Sequence, residues 1–156
     1  MLYSAMANSY PTIIPGLRSP FDQIQGIVHF GRMLDKMRLA AAGKLPPEWE
    51  ASRGVKSPTS FDSLCCKFLQ IKYANLEAET LKGDRSDEQL LECAFQQGHK
   101  PTDDEIEIWN GYMIKRGWRD SATNRLNERL AHIGLAPGTV QTMFEFIDLD
   151  EGRRVV

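Results

Sequence analysis

The sequence predicts an all-α fold, an irregular bundle of about seven helices in a single domain. Three observations support this class. Apolar residues recur at helical spacing, capping residues precede these segments, and a glycine usually follows them. No segment shows the strict alternation of apolar and polar residues that is typical of a strand. Because no internal repeat is present, we expect neither a solenoid nor a regular four-helix bundle.

Length and composition are ordinary for one globular domain. The chain has 156 residues, 42% apolar and 26% charged, so we expect a core that needs no disulfides. The net charge of -2 provides no global basic field for nucleic acid or an anionic membrane. Residues 1–14 are expected to be a flexible leader and 15–156 the domain. Because no secretory signal or membrane-length apolar run is present, we expect a cytoplasmic protein with no membrane partner.

The first long helix is predicted to begin at Ser19 and to run to about Ala42. Ser19 suits the N-cap and Pro20 the first turn, whose backbone nitrogen needs no helical partner. Gly43 ends the helix. The segment 44–60, rich in proline, glycine and serine, is the longest predicted linker.

Four helices are predicted in the central part of the chain. Apolar residues repeat at helical spacing over 61–68 and again over 73–81. The segment 86–97 begins with a capping serine and acidic residues and ends before a glycine. A capping box at Thr102 opens the fourth helix, which should stop at Gly117.

Two helices are predicted after Gly117. Asp120 or Ser121 should cap the first of them, which ends at Gly134. A Pro-Gly turn then leads into the last helix, whose apolar side carries Val140, Met143, Phe144 and Ile147.

The helix that opens at Thr102 contains the most informative segment, EIEIWNGYMIKRGWRD. At 100° per residue its apolar arc also contains two charged residues, Glu105 and Arg116. Ile108 and Ile114 lie away from that arc, so the helix has no wholly polar side. A helix of this kind is usually buried, and we expect it to be the central helix.

The first predicted helix has a similar anomaly, because Asp35 and Arg38 interrupt its apolar stripe. The stripe consists of Ile24, Ile27, Val28, Gly31, Leu34 and Ala42. The two charged residues are three apart and can pair along the helix. Gly31 would let a neighbouring backbone or ligand approach closely. The opposite side is expected to be solvated and carries Gln25, His29, Arg32 and Lys36.

The leading functional hypothesis is a small soluble protein that binds a small anionic or polar ligand between the first and the central helix. Two arginines would grip the ligand, two acids would orient them, an asparagine would add a directional hydrogen bond, and two aromatic rings would form the wall. The predicted site residues are Asp35, Arg38, Glu105, Trp109, Asn110, Tyr112 and Arg116.

Two other functions stay open. In the first, the protein is an interaction or oligomerisation module whose charged residues form structural ion pairs, Asp35 with Arg38 and Glu105 with Arg116, or crosswise between the helices. Apolar surface for such a module would come from Trp49, Trp118, Phe144 and Phe146. In the second, the helix-turn-helix-like segment 105–134 binds nucleic acid, which the absence of a net basic charge disfavours.

No motif assigns an enzymatic reaction, a metal or a cofactor. Cys65, Cys66 and Cys93 lack metal-ligand spacing, and the three histidines are scattered. We expect Cys65 to be a small buried side chain. No catalytic order of serine, histidine and aspartate is present, nor a phosphate-binding glycine loop.

Four strings resemble an uncharacterised bacterial family described as a domain of unknown function. They are PGLRSP at 15–20, GRMLDKMR at 31–38, EIEIWNGYMIKRGWRD at 105–120 and FIDLDEGR at 146–153. The resemblance covers nearly the whole chain after the leader. It implies a small, stand-alone cytoplasmic bacterial protein and implies no activity, cofactor or catalytic residue.

Overall fold

Seven α-helices provide most of the regular structure in residues 10–155, the part of the chain that the computed structural model describes. The helices are α1 (Phe30–Ala41), α2 (Phe61–Leu69), α3 (Tyr73–Leu81), α4 (Asp87–Gln97), α5 (Asp103–Lys115), α6 (Thr123–His132) and α7 (Met143–Asp150). A short 3-10 helix at Pro47–Ala51 lies within the predicted linker. The predicted helical fold is therefore confirmed, with one small sheet added to it.

That sheet is a β-hairpin over residues 23–28, which lies within the first half of the helix that we predicted to begin at Ser19. Strand β1 (Gln23–Ile24) pairs antiparallel with β2 (Ile27–Val28), and α1 begins only at Phe30. The prediction of a helix from Ser19 is therefore wrong, as is the prediction that the chain contains no strand.

The physical reason lies in the two residues that connect the strands. Gln25 and Gly26 both have positive φ, 48° and 81°, as a tight two-residue hairpin turn requires. Ile24 and Ile27 flank this turn and are both buried. Their spacing of three residues suits one face of a helix as well as a paired position in a hairpin, so spacing alone did not separate the two.

Helix α1 is buried on almost every side. His29, Arg32 and Lys36, which we expected to be solvated, are all less than a tenth exposed. Only Gln25 of that predicted polar side is exposed. Helix α1 packs against α3, α4 and β1. The side that we predicted to be polar and solvated is therefore covered as well, although it carries the long side chains of Arg32 and Lys36.

Contacts between residues divide the chain into two compact units. One comprises Gly16–Asn110 and includes the hairpin and α1 to α4. The other comprises residues 1–15 and 111–156; its residues 1–9 and 156 lie outside the described range, which takes in most of the predicted leader. In this second unit α6 packs on α7, and the Thr12 backbone N–H donates to the carbonyl oxygen of Asp150.

The division falls within α5, which is one continuous helix. Its predicted capping box is confirmed, because the Thr102 hydroxyl accepts from the Glu105 N–H and the Glu105 carboxylate accepts from the Thr102 N–H. Trp109 and Met113 are buried, but Ile108 is 71% exposed. The prediction that α5 is buried on both apolar sides is wrong.

No helix among the described residues is long and apolar enough to cross a membrane.

Candidate functional site

Asp35 and Arg38 of α1 belong to a cluster of two acidic and two basic side chains, which Asp87 of α4 and Arg18, a residue before β1, complete. Arg18 donates to both carboxylate oxygens of Asp35, at 2.8 and 2.9 Å. It also donates to Asp87 at 2.6 Å, and Arg38 donates to the other oxygen of Asp87 at 2.7 Å. Burial alone would raise the pKa of the Asp87 carboxyl, yet the two arginines lower it below its ordinary value. The two positive and two negative charges balance, although the structural ion-pair hypothesis named neither Arg18 nor Asp87 as a partner.

The sequence did not reveal that Arg18 is the principal partner of Asp35. Asp35 and Arg38 are 3.6 Å apart, a longer separation than either has to its main partner. Gly31 makes room for this arrangement, since a Cβ atom there would lie 2.6 Å from Arg18 Nη1. The close approach expected at Gly31 is therefore made by an arginine side chain. Arg18 stands in the PGLRSP string, but nothing local marks it as a partner of α1.

Trp109 and Asn110 hold the β-hairpin against α5. The Asn110 carboxamide accepts from the Val28 N–H at 3.2 Å and donates to the Gly26 carbonyl at 2.7 Å. The Trp109 indole N–H donates to the Val28 carbonyl at 3.2 Å, and its ring stacks on Phe68. These contacts explain an asparagine and a tryptophan on adjacent positions of α5, because together they satisfy backbone groups of β2 and of the turn.

The remaining predicted site residues have local partners. Glu105 lies 2.9 Å from His99 Nε2, and its hydrogen bonds with Thr102 and His99 lower the pKa of its carboxyl. Arg116 lies 3.5 Å from Asp120, with its guanidinium 5.6 Å from the ring centre of Tyr112. The structure thus brings together Asp35 with Arg38, Trp109 with Asn110, and Tyr112 with Arg116. Ligand binding by the seven residues stays a prediction.

A buried triad of ionisable residues was missed by the sequence analysis. Asp62 is completely buried and lies 2.7 Å from Lys36 Nζ and 2.8 Å from His29 Nε2. It also accepts from the Gly54 backbone N–H at 2.8 Å. Since an ionised carboxylate can only accept, neutral His29 donates its Nε2 proton. Locally Asp62 looks like a first-turn acid of α2, so only the packing identifies it as the centre of this triad.

The triad makes stability depend on pH. Burial lowers the pKa of His29 to about 4, although Asp62 opposes the shift, while Lys36 and Arg32 add to it. An unfolded histidine titrates near 6.5. Between these values the unfolded chain binds the extra proton, so stability should fall on acidification by about 1 kcal/mol per pH unit. Urea unfolding at pH 7.5, 6.5, 5.5 and 4.5 measures this slope; a His29→Gln variant with the same slope would contradict the assignment.

The surface also carries an open depression of about 520 Å³. It includes none of the seven predicted site residues. The charged groups that line it are the carboxylates of Asp84, Glu88 and Glu92 and the guanidinium of Arg85. An excess of negative charge around an open depression does not favour a small anion.

The most unusual surface of the described chain is one exposed face of α5. Asp104, Ile108, Gly111 and Lys115 follow each other at spacings of four, three and four residues, which places them on one line along the helix. We call this line the α5 seam. Tyr112 on one side of it and Ile114 on the other are 42% and 36% exposed. A Cβ atom at Gly111 would meet nothing within 4 Å.

Aromatic surface predicted elsewhere is mostly covered. Phe144 and Phe146 are buried in the unit that contains α7. Trp49 is partly buried beneath Arg32, whose guanidinium lies 5.9 Å from its ring. Trp118 is 43% exposed, with Arg119 4.9 Å from its ring. Other exposed apolar side chains of the described residues are spread over the chain, but Ile108, Tyr112, Ile114 and Trp118 lie together on α5 and the turn that follows it.

Comparison with known families agrees with this helical architecture and with the strings noted above. A family described as a domain of unknown function, DUF5069, matches residues 14–153. The chain belongs to the DUF5069 family. No curated protein matches this DUF5069 chain. Membership covers the ion-pair cluster, the buried triad and the α5 seam alike, and the description of the family assigns no reaction to any of them.

Proposed function

We propose that this DUF5069 protein is a protein-interaction module that binds a partner helix along the α5 seam. The observation that carries the proposal is Ile108, which is 71% exposed in the middle of a helix and next to the open surface of Gly111. An isoleucine that is 71% exposed gains only a small part of the roughly 1.5–3 kcal/mol that full burial contributes. A glycine inside a helix costs about 0.5–1 kcal/mol relative to alanine. Both features become favourable when another helix packs closely over them.

The seam also indicates the chemistry of its partner. It has an acidic end at Asp104, an apolar centre, and a basic end at Lys115. A matching helix would place an apolar side chain over Gly111, a cation beside Asp104 and an anion beside Lys115. A nucleic acid fits this surface poorly, because its phosphates would meet Asp104 and the neighbouring Glu107.

The alternative ligand site has less support. Its charged residues already have carboxylate, guanidinium or imidazole partners, and Trp109 and Asn110 are engaged by the hairpin. A ligand would have to displace these interactions before binding. At the α5 seam only the weak ion pair of Lys115 with Asp120 would be exchanged, since the apolar residues of the seam are already exposed.

Site-specific photo-crosslinking in cells tests the proposed function. A photoreactive phenylalanine at Tyr112, beside the seam, should give a covalent adduct with a protein. The same group at Glu92, an exposed position on α4, should give none. Because Ile108 forms the apolar centre, Ile108→Lys should reduce the Tyr112 adduct about tenfold or more.

A matched substitution controls for a general effect of added charge. Val55→Lys also replaces an exposed apolar side chain, 54% accessible, and should leave the adduct unchanged. The proposal would be overturned if the photoreactive group at position 112 gave no adduct. It would also be overturned if Val55→Lys reduced the adduct as much as Ile108→Lys does.

A further inference from the structure

We infer that the partner helix is the α5 helix of a second copy of this chain, packed antiparallel along the seam. This inference rests on the proposed function and names its partner. It follows from the order of the four seam residues, which are acidic, large and apolar, without a side chain, and basic. When two such helices lie antiparallel, the acidic residue of each meets the basic residue of the other, and the large side chain of each meets the glycine of the other. The same patch can therefore serve both copies, as a two-fold dimer requires.

The spacing of the seam specifies one register. Spacings of four, three and four residues are those of the core positions of a coiled coil. In an antiparallel pair with its two-fold axis level with the Trp109–Asn110 peptide, Asp104 lies opposite Lys115. Ile108 then lies opposite Gly111 of the partner.

Size complementarity supports this register. Ile108 projects from the helix and is 71% exposed, whereas Gly111 has open space where a Cβ atom would stand. Each isoleucine would fill the space over the glycine of the other copy, and the missing side chain lets the two helices approach closely. Tyr112 and Ile114 would cover the two sides of this central contact.

Charge complementarity selects the antiparallel orientation. Two Asp104–Lys115 pairs would form, one at each end of the interface. A parallel pair would instead place Asp104 against Asp104 and Lys115 against Lys115, which is repulsive. Lys115 is 48% exposed and lies 3.9 Å from Asp120, so that local ion pair is weak enough for the ammonium group to turn toward another carboxylate.

The interface is small, so a weak dimer is expected. Helix α5 has 13 residues and is about 20 Å long. One face of such a helix buries less than the roughly 800 Å² per partner of a standard stable interface. We therefore expect a dissociation constant on the order of micromolar or weaker.

Charge reversal with mixing tests the inference on the purified full chain. In a dimer of Asp104→Lys, each of the two end pairs joins two lysines, and in a dimer of Lys115→Asp each of them joins two aspartates. Each variant alone should dimerise about tenfold more weakly than the wild type in sedimentation equilibrium. An equimolar mixture of the two restores opposite charges at both ends, so a mixed dimer should form with an affinity close to that of the wild type.

The mixture distinguishes this result from a folding defect, because two misfolded chains would not restore association. A third variant, Glu92→Lys, changes the charge by the same amount on α4 and should leave the dimer unchanged. A monomeric wild type at millimolar concentration would overturn the inference, as would reversed variants that fail to associate when mixed. If the Tyr112 crosslink then joins a different protein, the interaction function stands and only the second copy is rejected.

Discussion

Asp62→Asn should lower the free energy of unfolding by about 3–5 kcal/mol, among the largest effects of any single substitution in this protein. The change removes the negative charge from a completely buried site while Lys36, only 8% exposed, stays in place. The Lys36 ammonium would lose the carboxylate that lies 2.7 Å from its Nζ atom. Breaking a buried ion pair from one side is costly because the desolvated charge that remains loses its compensation.

Urea unfolding at pH 7.5, followed by circular dichroism, measures this loss. Asp84→Asn is the matched control, because it removes the same charge from an exposed position and should change stability by less than about 0.5 kcal/mol. Lys36→Met combined with Asp62→Asn should recover part of the loss, since no buried ammonium remains. Equal stability of Asp62→Asn and Asp84→Asn would show that the buried triad does not stabilise the fold.

Gly98→Ala should cost about 3 kcal/mol or more. Gly98 follows the last residue of α4, where the His99 N–H donates to the carbonyl oxygen of Leu69 at 2.8 Å. A Cβ atom at Gly98 would overlap the Leu69 carbonyl oxygen and lie 2.5 Å from that of Gln70. Both contacts are with backbone atoms, so rotation of a side chain cannot relieve them.

Thermal unfolding of the Gly98→Ala and Gly111→Ala variants compares the effect of the same substitution on stability at two positions. Gly111 lies inside α5 with open space around its Cβ position. In the monomer, alanine should therefore raise stability by about 0.5–1 kcal/mol. At a protein concentration too low for association, Gly98→Ala should therefore lower the free energy of unfolding and Gly111→Ala should raise it. A loss below 1 kcal/mol at Gly98 would contradict the close backbone contact between the ends of α2 and α4.

Helix α5 shows how far local sequence reasoning reaches. The capping box at Thr102, the end of the helix before Gly117 and the two apolar sides could all be read from residue type and spacing. Whether the second apolar side is covered depends on the other elements, and the structure leaves Ile108 exposed. Spacing specifies which residues share a face of a helix, but it carries no information about what lies opposite that face.

The candidate site shows the same limit. Asp35 and Arg38 were recognised because two charges on an apolar stripe are visible in the sequence. Their main partners, Arg18 and Asp87, come from other segments of the chain. Asn110 was likewise selected as a site residue from its place on α5, but the Gly26 carbonyl that it binds lies 84 residues away. Partners at such separations are brought together only when the chain folds.

The sequence by itself determined the helical class, the ends of most helices and the positions at which polar groups interrupt apolar faces. These depend on capping, on glycine conformations and on a spacing of 3.6 residues, all of which act within one or two turns. Only the tertiary structure decided that residues 23–28 form a hairpin, that α1 rather than α5 is buried on nearly every side, and that Asp62 joins Lys36 and His29. The reason is physical: burial and ion pairing depend on groups distant in the chain, whose proximity no local pattern encodes.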